Sequence, residues 1–202
     1  MHILSILFFS ISSSSDNFVI GLSYGAKKIT INFINNLIVA LISCMGTFIA
    51  MLFGKMLSSF FYQAHSNIIG SLILILFGLY MLFNSFRKKA DENTDPTKHH
   101  SYNDVLSHPE IVDKDNSKTI ELKESFILGL ILCLNNVGLG VGASITGLNI
   151  YLTSLSSLIF SIVFIQLGCF IGGRVLSKKL SSYSESISAL IILLLGIYEL
   201  FI

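Results

Sequence analysis

Between Ser12 and Gly25 the chain reads Ser-Ser-Ser-Ser-Asp-Asn-Phe-Val-Ile-Gly-Leu-Ser-Tyr-Gly. A carboxylate, an amide and several hydroxyls thus fall within about two turns of a helix. At helical spacing Ser12, Asp16 and Ser23 share one stripe, and Ser13, Asn17 and Gly21 share the next. A second polar group, Asn135-Asn136, is followed by Gly138, Gly140 and Gly142. Those glycines weaken the helix, can bare backbone carbonyls and permit close helix approach. Carboxylate, amide, hydroxyl and carbonyl oxygens suit hard or borderline divalent cations such as Mn²⁺, Mg²⁺ or Ca²⁺. Ser12, Ser13, Asp16, Asn17, Asn135 and Asn136 are the candidate ion-binding residues, with Asp16, Asn135 and Asn136 as the candidate metal ligands. The same groups have a plainer use: serines and asparagines bond helix to helix, and an amide pair can lock Asp16 in place. No histidine lies in an apolar segment, which argues against an imidazole-built zinc or copper site.

What must position these residues is set by composition. Of 202 residues 52% are hydrophobic and 12% charged, and the mean hydropathy is +0.75. A soluble domain does not carry that balance. An all-α integral membrane protein follows, because a helix crosses a hydrocarbon core of ~30 Å with ~20 apolar residues. Six segments meet that requirement, near 3–24, 31–54, 68–86, 125–148, 152–176 and 187–202. The first has no basic leader and no small-residue cleavage site after it, so it reads as a retained span rather than a signal peptide. An ionised Asp16 at its centre costs at least ~2.5 kcal/mol against lipid, so Asp16 has to face protein, water or an ion. The stretch 87–124 holds seven Lys/Arg and nine Asp/Glu and reads as a flexible solvated linker. The net charge of +1 gives no reason to expect a nucleic-acid partner. Cys44, Cys133 and Cys169 all lie in apolar segments, odd in number, and predict no disulfide framework.

Basic residues flank alternate loops. Lys27–Lys28, Arg87–Lys89, Lys118–Lys123 and Arg174–Lys179 fall on one side of a six-span chain, with Lys55 on the other. That asymmetry places the basic side, including 87–124, in the cytoplasm and both termini outside the cell membrane. Similarities recur between the halves: Gly78-x-Tyr80-x-Leu82-Phe83 with Gly196-x-Tyr198-x-Leu200-Phe201, Gly46-x-Phe48-Ile49 with Gly168-x-Phe170-Ile171, and Asp16-Asn17 with Asn135-Asn136. Three spans per half force opposite orientations, so 1–86 and 125–202 read as two inverted three-helix repeats joined by 87–124. Lys27 lies eleven residues beyond Asp16 and Glu124 eleven before Asn135, which puts both polar sites about 16 Å from the basic side, near the midplane. Asn35, Asn36 and Gln166 are secondary lining candidates. Glu199, near the last span's end, reads as reachable by water. Nothing resembles a nucleophile with its base, a histidine–acid cluster or a phosphate loop, so no enzyme and no bound cofactor are expected. The partners implied are the bilayer, a transported cation and, through Gly46–Ala50–Gly54 and Gly168–Gly172, either internal packing or a homo-oligomer.

Asp16-Asn-Phe-x-x-Gly-x-x-Tyr-Gly-x-Lys-Lys-Ile and Leu134-Asn-Asn-x-Gly-Leu-Gly-x-Gly-Ala-Ser together resemble a sporulation-associated branch of the MntP-type manganese efflux pumps, similar in turn to the lysine-exporter superfamily. The resemblance spans all six segments. It implies efflux of a manganese-like divalent cation by alternating access, with Asp16 at the position of the exporters' first metal-linked Asp. Asn135 stands where the exporters carry a second acid, and Cys44 or a neighbour stands at about the place of a further one. The alternative is a non-transporting sporulation membrane protein in which Asp16 belongs to a buried polar lock. A site with one negative charge in place of two or three holds a divalent ion less tightly. Asn135→Asp therefore raises Mn²⁺ affinity at least about tenfold, or ~1.4 kcal/mol, in a metal titration of the purified protein; unchanged affinity would show that charge is not what limits binding.

Overall fold

The structure, a computed structural model, describes residues 3–60, 63–90, 112–113, 117–174 and 178–201; the side chains of 63–67, 84–90, 135, 178–185 and 188 lie outside that description. Seven helices and one two-stranded sheet are present among these residues: α1 Ile3–Ser13, α2 Ser15–Lys27, β1 Thr30–Ile31, α3 Phe33–Ser58, α4 Gln63–Ala90, β2 Thr119–Ile120, α5 Leu122–Ile145, α6 Ile150–Gly172 and α7 Lys178–Leu200. Each expected span is thus a helix, with α1 and α2 together forming the first. Three spans among the described residues, 3–27, 33–58 and 150–172, are long and apolar enough to cross a membrane, and α5 makes a fourth if its two arms count as one. The apolar parts of α4 and α7 are shorter, Ile68–Phe83 and Ala189–Leu200.

Local chemistry explains where the helices start, stop and break. Three serines of the first span compete with the backbone for its own carbonyls. Ser10 Oγ donates to Ile6 O, Ser13 Oγ to Ser10 O and Ser15 Oγ to Ile11 O, a habit that loosens helices. The interruption falls at Ser14, yet Ser14 N still donates to Ser10 O and Phe18 N to Ser14 O, so the ladder carries across. Lys28, at φ 58°, ends α2 in the left-handed conformation, its N–H donating to Gly25 O. Asn32 caps α3 and Asn149 caps α6 by accepting backbone N–H groups. Glu121 and Glu124 form a reciprocal capping box at the start of α5.

The packing reverses the pattern of a water-soluble protein. Phe33, Ile49, Leu76, Phe83, Phe126, Leu134, Tyr151 and Phe170 are exposed, whereas Ser5, Ser10, Ser12, Ser13, Ser43, Thr47, Ser154, Ser157 and Ser161 are buried. Small polar residues inside and large apolar residues outside are what a lipid solvent selects. The most extensive helix pairs are α3 with α5, α4 with α7 and α2 with α6, followed by α3 with α6. Each joins 3–90 to 119–200, and both hydrophobic clusters draw on both stretches. The α2–α6 seam is a close backbone approach. A Cβ on Gly168 would sit 2.5 Å from Phe18 O and 2.8 Å from the Gly21 Cα, and Gly25 and Gly172 are equally confined.

The linker reading of 87–124 needs correcting at both ends. α4 runs on to Ala90, and the last residues before α5 are packed. Thr30 and Ile31 pair in parallel with Thr119 and Ile120, and Asn35 Nδ2 donates to Ile120 O. Asp113 gathers the N–H groups of Ser117 and Lys118 at 3.0 and 3.1 Å, while Val112 and Ile120 are buried. The heavy charge of the loop hides this two-residue Thr-Ile strand from any window average. Residues 91–111 and 114–116 lie outside the described residues.

Gly168→Val forces α6 off α2 and destabilises the fold by about 1–3 kcal/mol or more, read as a lowered Tm in detergent. Leu155→Ala, on a side chain 57% exposed, leaves that Tm near the wild-type value; equal shifts would contradict a backbone seam at Gly168.

Candidate functional site

Asp16 lies in the first turn of α2 and is 4% exposed. Ser12 and Ser13 on α1 and Asn17 beside it are buried too, so the whole first wall predicted from sequence faces protein. It faces α6. Asn17 Nδ2 donates to Ser161 Oγ at 2.6 Å, the Ser13 and Ser157 hydroxyls share a bond at 3.3 Å, and Ser14 Oγ donates to Ser157 O at 3.4 Å. These pairs keep a constant offset because α2 and α6 run side by side in the same direction. Burial of Asp16 within the bundle takes its carboxylate away from lipid, where an isolated charge is most costly.

The second wall sits on another seam. Asn136, 2% exposed, donates from Nδ2 to Ser43 Oγ of α3 at 3.0 Å. Thr47 Oγ1 donates to Ser43 O, and Cys44 Sγ donates to Ser154 O of α6 at 3.3 Å. The two arms of α5, Leu122–Leu134 and Asn136–Ile145, meet at 45°, so this helix bends at its polar pair as the first span breaks at its serines. The side chain of Asn135 lies outside the described residues. The two walls are thus drawn to different partners: Ser13 and Asn17 to α6, Asn136 to α3. α6 touches both, through Ser157 and Ser161 on one side and Ser154 and Ile162 on the other.

Among the described residues no group of three or more His, Cys, Asp or Glu side chains could hold a metal ion. Asp16 is the carboxylate of the first wall, and the other groups of that wall offer amide, hydroxyl or carbonyl oxygens. Of the secondary candidates, Asn36 is buried and donates to Ile162 O at 3.0 Å, Asn35 belongs to the strand pair at the helix ends, and Gln166 is exposed. Sequence reasoning missed the serines of α6, whose spacing at 154, 157 and 161 puts them on one helical face. It also misplaced Glu199, which is fully buried rather than within reach of water. The signal was available: Ala189, Ile192, Leu195 and Glu199 recur at helical spacing on the buried face of α7.

Residues 1–82 match the family described as "Putative manganese efflux pump". That stretch contains the whole first wall, including Asp16. Over 210 aligned residues the chain is also 28% identical to the Bacillus subtilis "Probable sporulation protein YtaF", covering 99% of this chain and all of that relative. No solved structure matches it. The chain is a multi-pass membrane protein, similar over its first 82 residues to an efflux family rather than to an enzyme class.

The Asn17–Ser161 bond joins α2 to α6 across 144 residues of chain. A double-mutant cycle with Asn17→Ala and Ser161→Ala gives a coupling of about 0.6–1.7 kcal/mol in detergent unfolding; additive losses would show that this bond contributes nothing.

Proposed function

We propose that the protein exports a divalent, manganese-like cation across the cell membrane by alternating access, with Asp16 as the ion-binding carboxylate. The observation that carries this reading is the burial of Asp16 within the stretch that matches the efflux family. An intramembrane acid is retained at a cost, and a path for ions is the common reason. Six membrane-crossing helices in two inverted three-helix repeats complete the proposal, with the basic loops in the cytoplasm and both termini outside.

The contact pattern supports the repeat. Exchanging the first span with α5, α3 with α6 and α4 with α7 turns the α3–α5 seam into the seam of α6 with the first span, and leaves the α4–α7 and α3–α6 pairs as they are. The asparagine bonds obey the same exchange: Asn17 donates to a serine of α6, and Asn136 to a serine of α3. In this reading each closely packed seam moves as a unit, and access alternates where α3 crosses α6.

A second reading draws on those same bonds. Amides committed to interhelical pairing are what a structural polar lock requires, and the similarity to a sporulation-named relative is compatible with a non-transporting role in that programme. Expression in cells lacking their manganese exporter separates the two. The export reading predicts lower intracellular manganese and restored growth under manganese stress, lost in Asp16→Asn at equal membrane abundance. A correctly inserted protein that changes neither supports the lock.

A further inference from the structure

The face that α6 turns inward is polar along its first half and reaches beyond Asp16. Ser161 and Ser157 meet Asn17 and Ser13, but Ser154, two turns nearer the start of α6, meets α3 instead. There two buried oxygens have no protein partner. Ser154 Oγ, on a residue 4% exposed, and Asn136 Oδ1, on a residue 2% exposed, make no hydrogen bond. Consecutive residues of α3 bond to both residues: Ser43 accepts from the Asn136 amide, and Cys44 donates to the Ser154 carbonyl. Orphaned buried acceptors are costly, about 1–3 kcal/mol each, and native interiors keep few without a bound partner.

We infer that Ser154 and Asn136 form a second, charge-free station for the transported divalent cation. Ser154 lies seven residues, about 10 Å, along α6 from Ser161, the partner of Asn17. The inference rests on the export reading above and assigns α6 as the third wall of the path. The division of labour follows from charge. A carboxylate holds a divalent ion, whereas neutral amide, hydroxyl and carbonyl oxygens replace some of its water without trapping it. Conduction needs that combination, since a path of uniformly strong sites does not release its ion. Ser43 holds the Asn136 amide and Cys44 holds the Ser154 carbonyl, and the 45° bend of α5 falls beside Asn136. Because the station adds little binding free energy, it acts on the rate of passage and hardly at all on ion occupancy.

Purified protein in liposomes loaded with a Mn²⁺-quenched dye reads flux, and isothermal titration with Mn²⁺ alone reads binding. Ser154→Ala combined with Asn136→Leu lowers flux about tenfold, equivalent to ~1.4 kcal/mol of barrier, with Mn²⁺ stoichiometry and Kd unchanged. Leu155→Ala, on an exposed side chain, retains wild-type flux, and an unchanged Tm of the double variant in detergent controls for folding. If Asp16→Asn abolishes binding and flux while the Ser154→Ala/Asn136→Leu protein transports as wild type, the second station is wrong and export stands. Should Asp16→Asn leave both unchanged, the export reading itself falls. A double variant that loses binding together with flux also overturns the inference, because a charge-free relay leaves occupancy intact.

Discussion

A carboxylate in the middle of a membrane-length helix cannot face lipid, and the arrangement of the bundle follows from that constraint. Asp16 is 4% exposed, and the helix that carries it, α2, lies against α6 along a run of glycines. Without Cβ atoms at Gly21, Gly25, Gly168 and Gly172 the two backbones come close enough for short side chains to meet. Longer side chains at those positions would hold the helices apart, and Asn17 would not reach Ser161. The polar contacts and the close seam are one feature described from two sides.

The exterior and the interior divide the work of solvation. Lipid solvates the large apolar residues that cover the helices, and the interior gathers buried hydroxyls and amides around the bonds of Asn17 and Asn136. No histidine, cysteine and acid cluster is gathered among the described residues, so a cation there would be held by one charge and several dipoles. Such a site binds weakly and releases readily, which suits passage better than storage. Both interruptions of regular helix, at Ser14 and beside Asn136, fall where polar side chains compete with the backbone or bring an amide to a neighbouring helix.

Much of the fold was legible in the sequence, because a helix that crosses lipid announces itself by unbroken apolarity. The expected second span at 31–54 is α3, Phe33–Ser58, and the first is the pair α1–α2. Asp16 and Asn17 were legible for the converse reason, being polar where the pattern demands apolar residues. Their partners were not. Nothing local to Ser161 distinguishes it from Ser156, since a serine in a span serves packing and bonding alike, and its match with Asn17 depends on how two distant helices dock. Asn136 was expected to face the Asp16 wall, but its amide is bonded to Ser43 of α3. Glu199 was misread because its closeness to the chain's end outweighed its helical phase, and the paired Thr119–Ile120 strand was lost inside a charged loop.

Export as proposed stands or falls on whether the buried Asp16 carboxylate binds the cation. Anomalous diffraction from crystals grown with Mn²⁺ tests it directly. The account predicts one peak per chain within about 2–2.6 Å of an Asp16 carboxylate oxygen, with its remaining neighbours oxygens of α1, α2 and α6. A peak confined to the charged loop, or none within the bundle at saturating Mn²⁺, would contradict it.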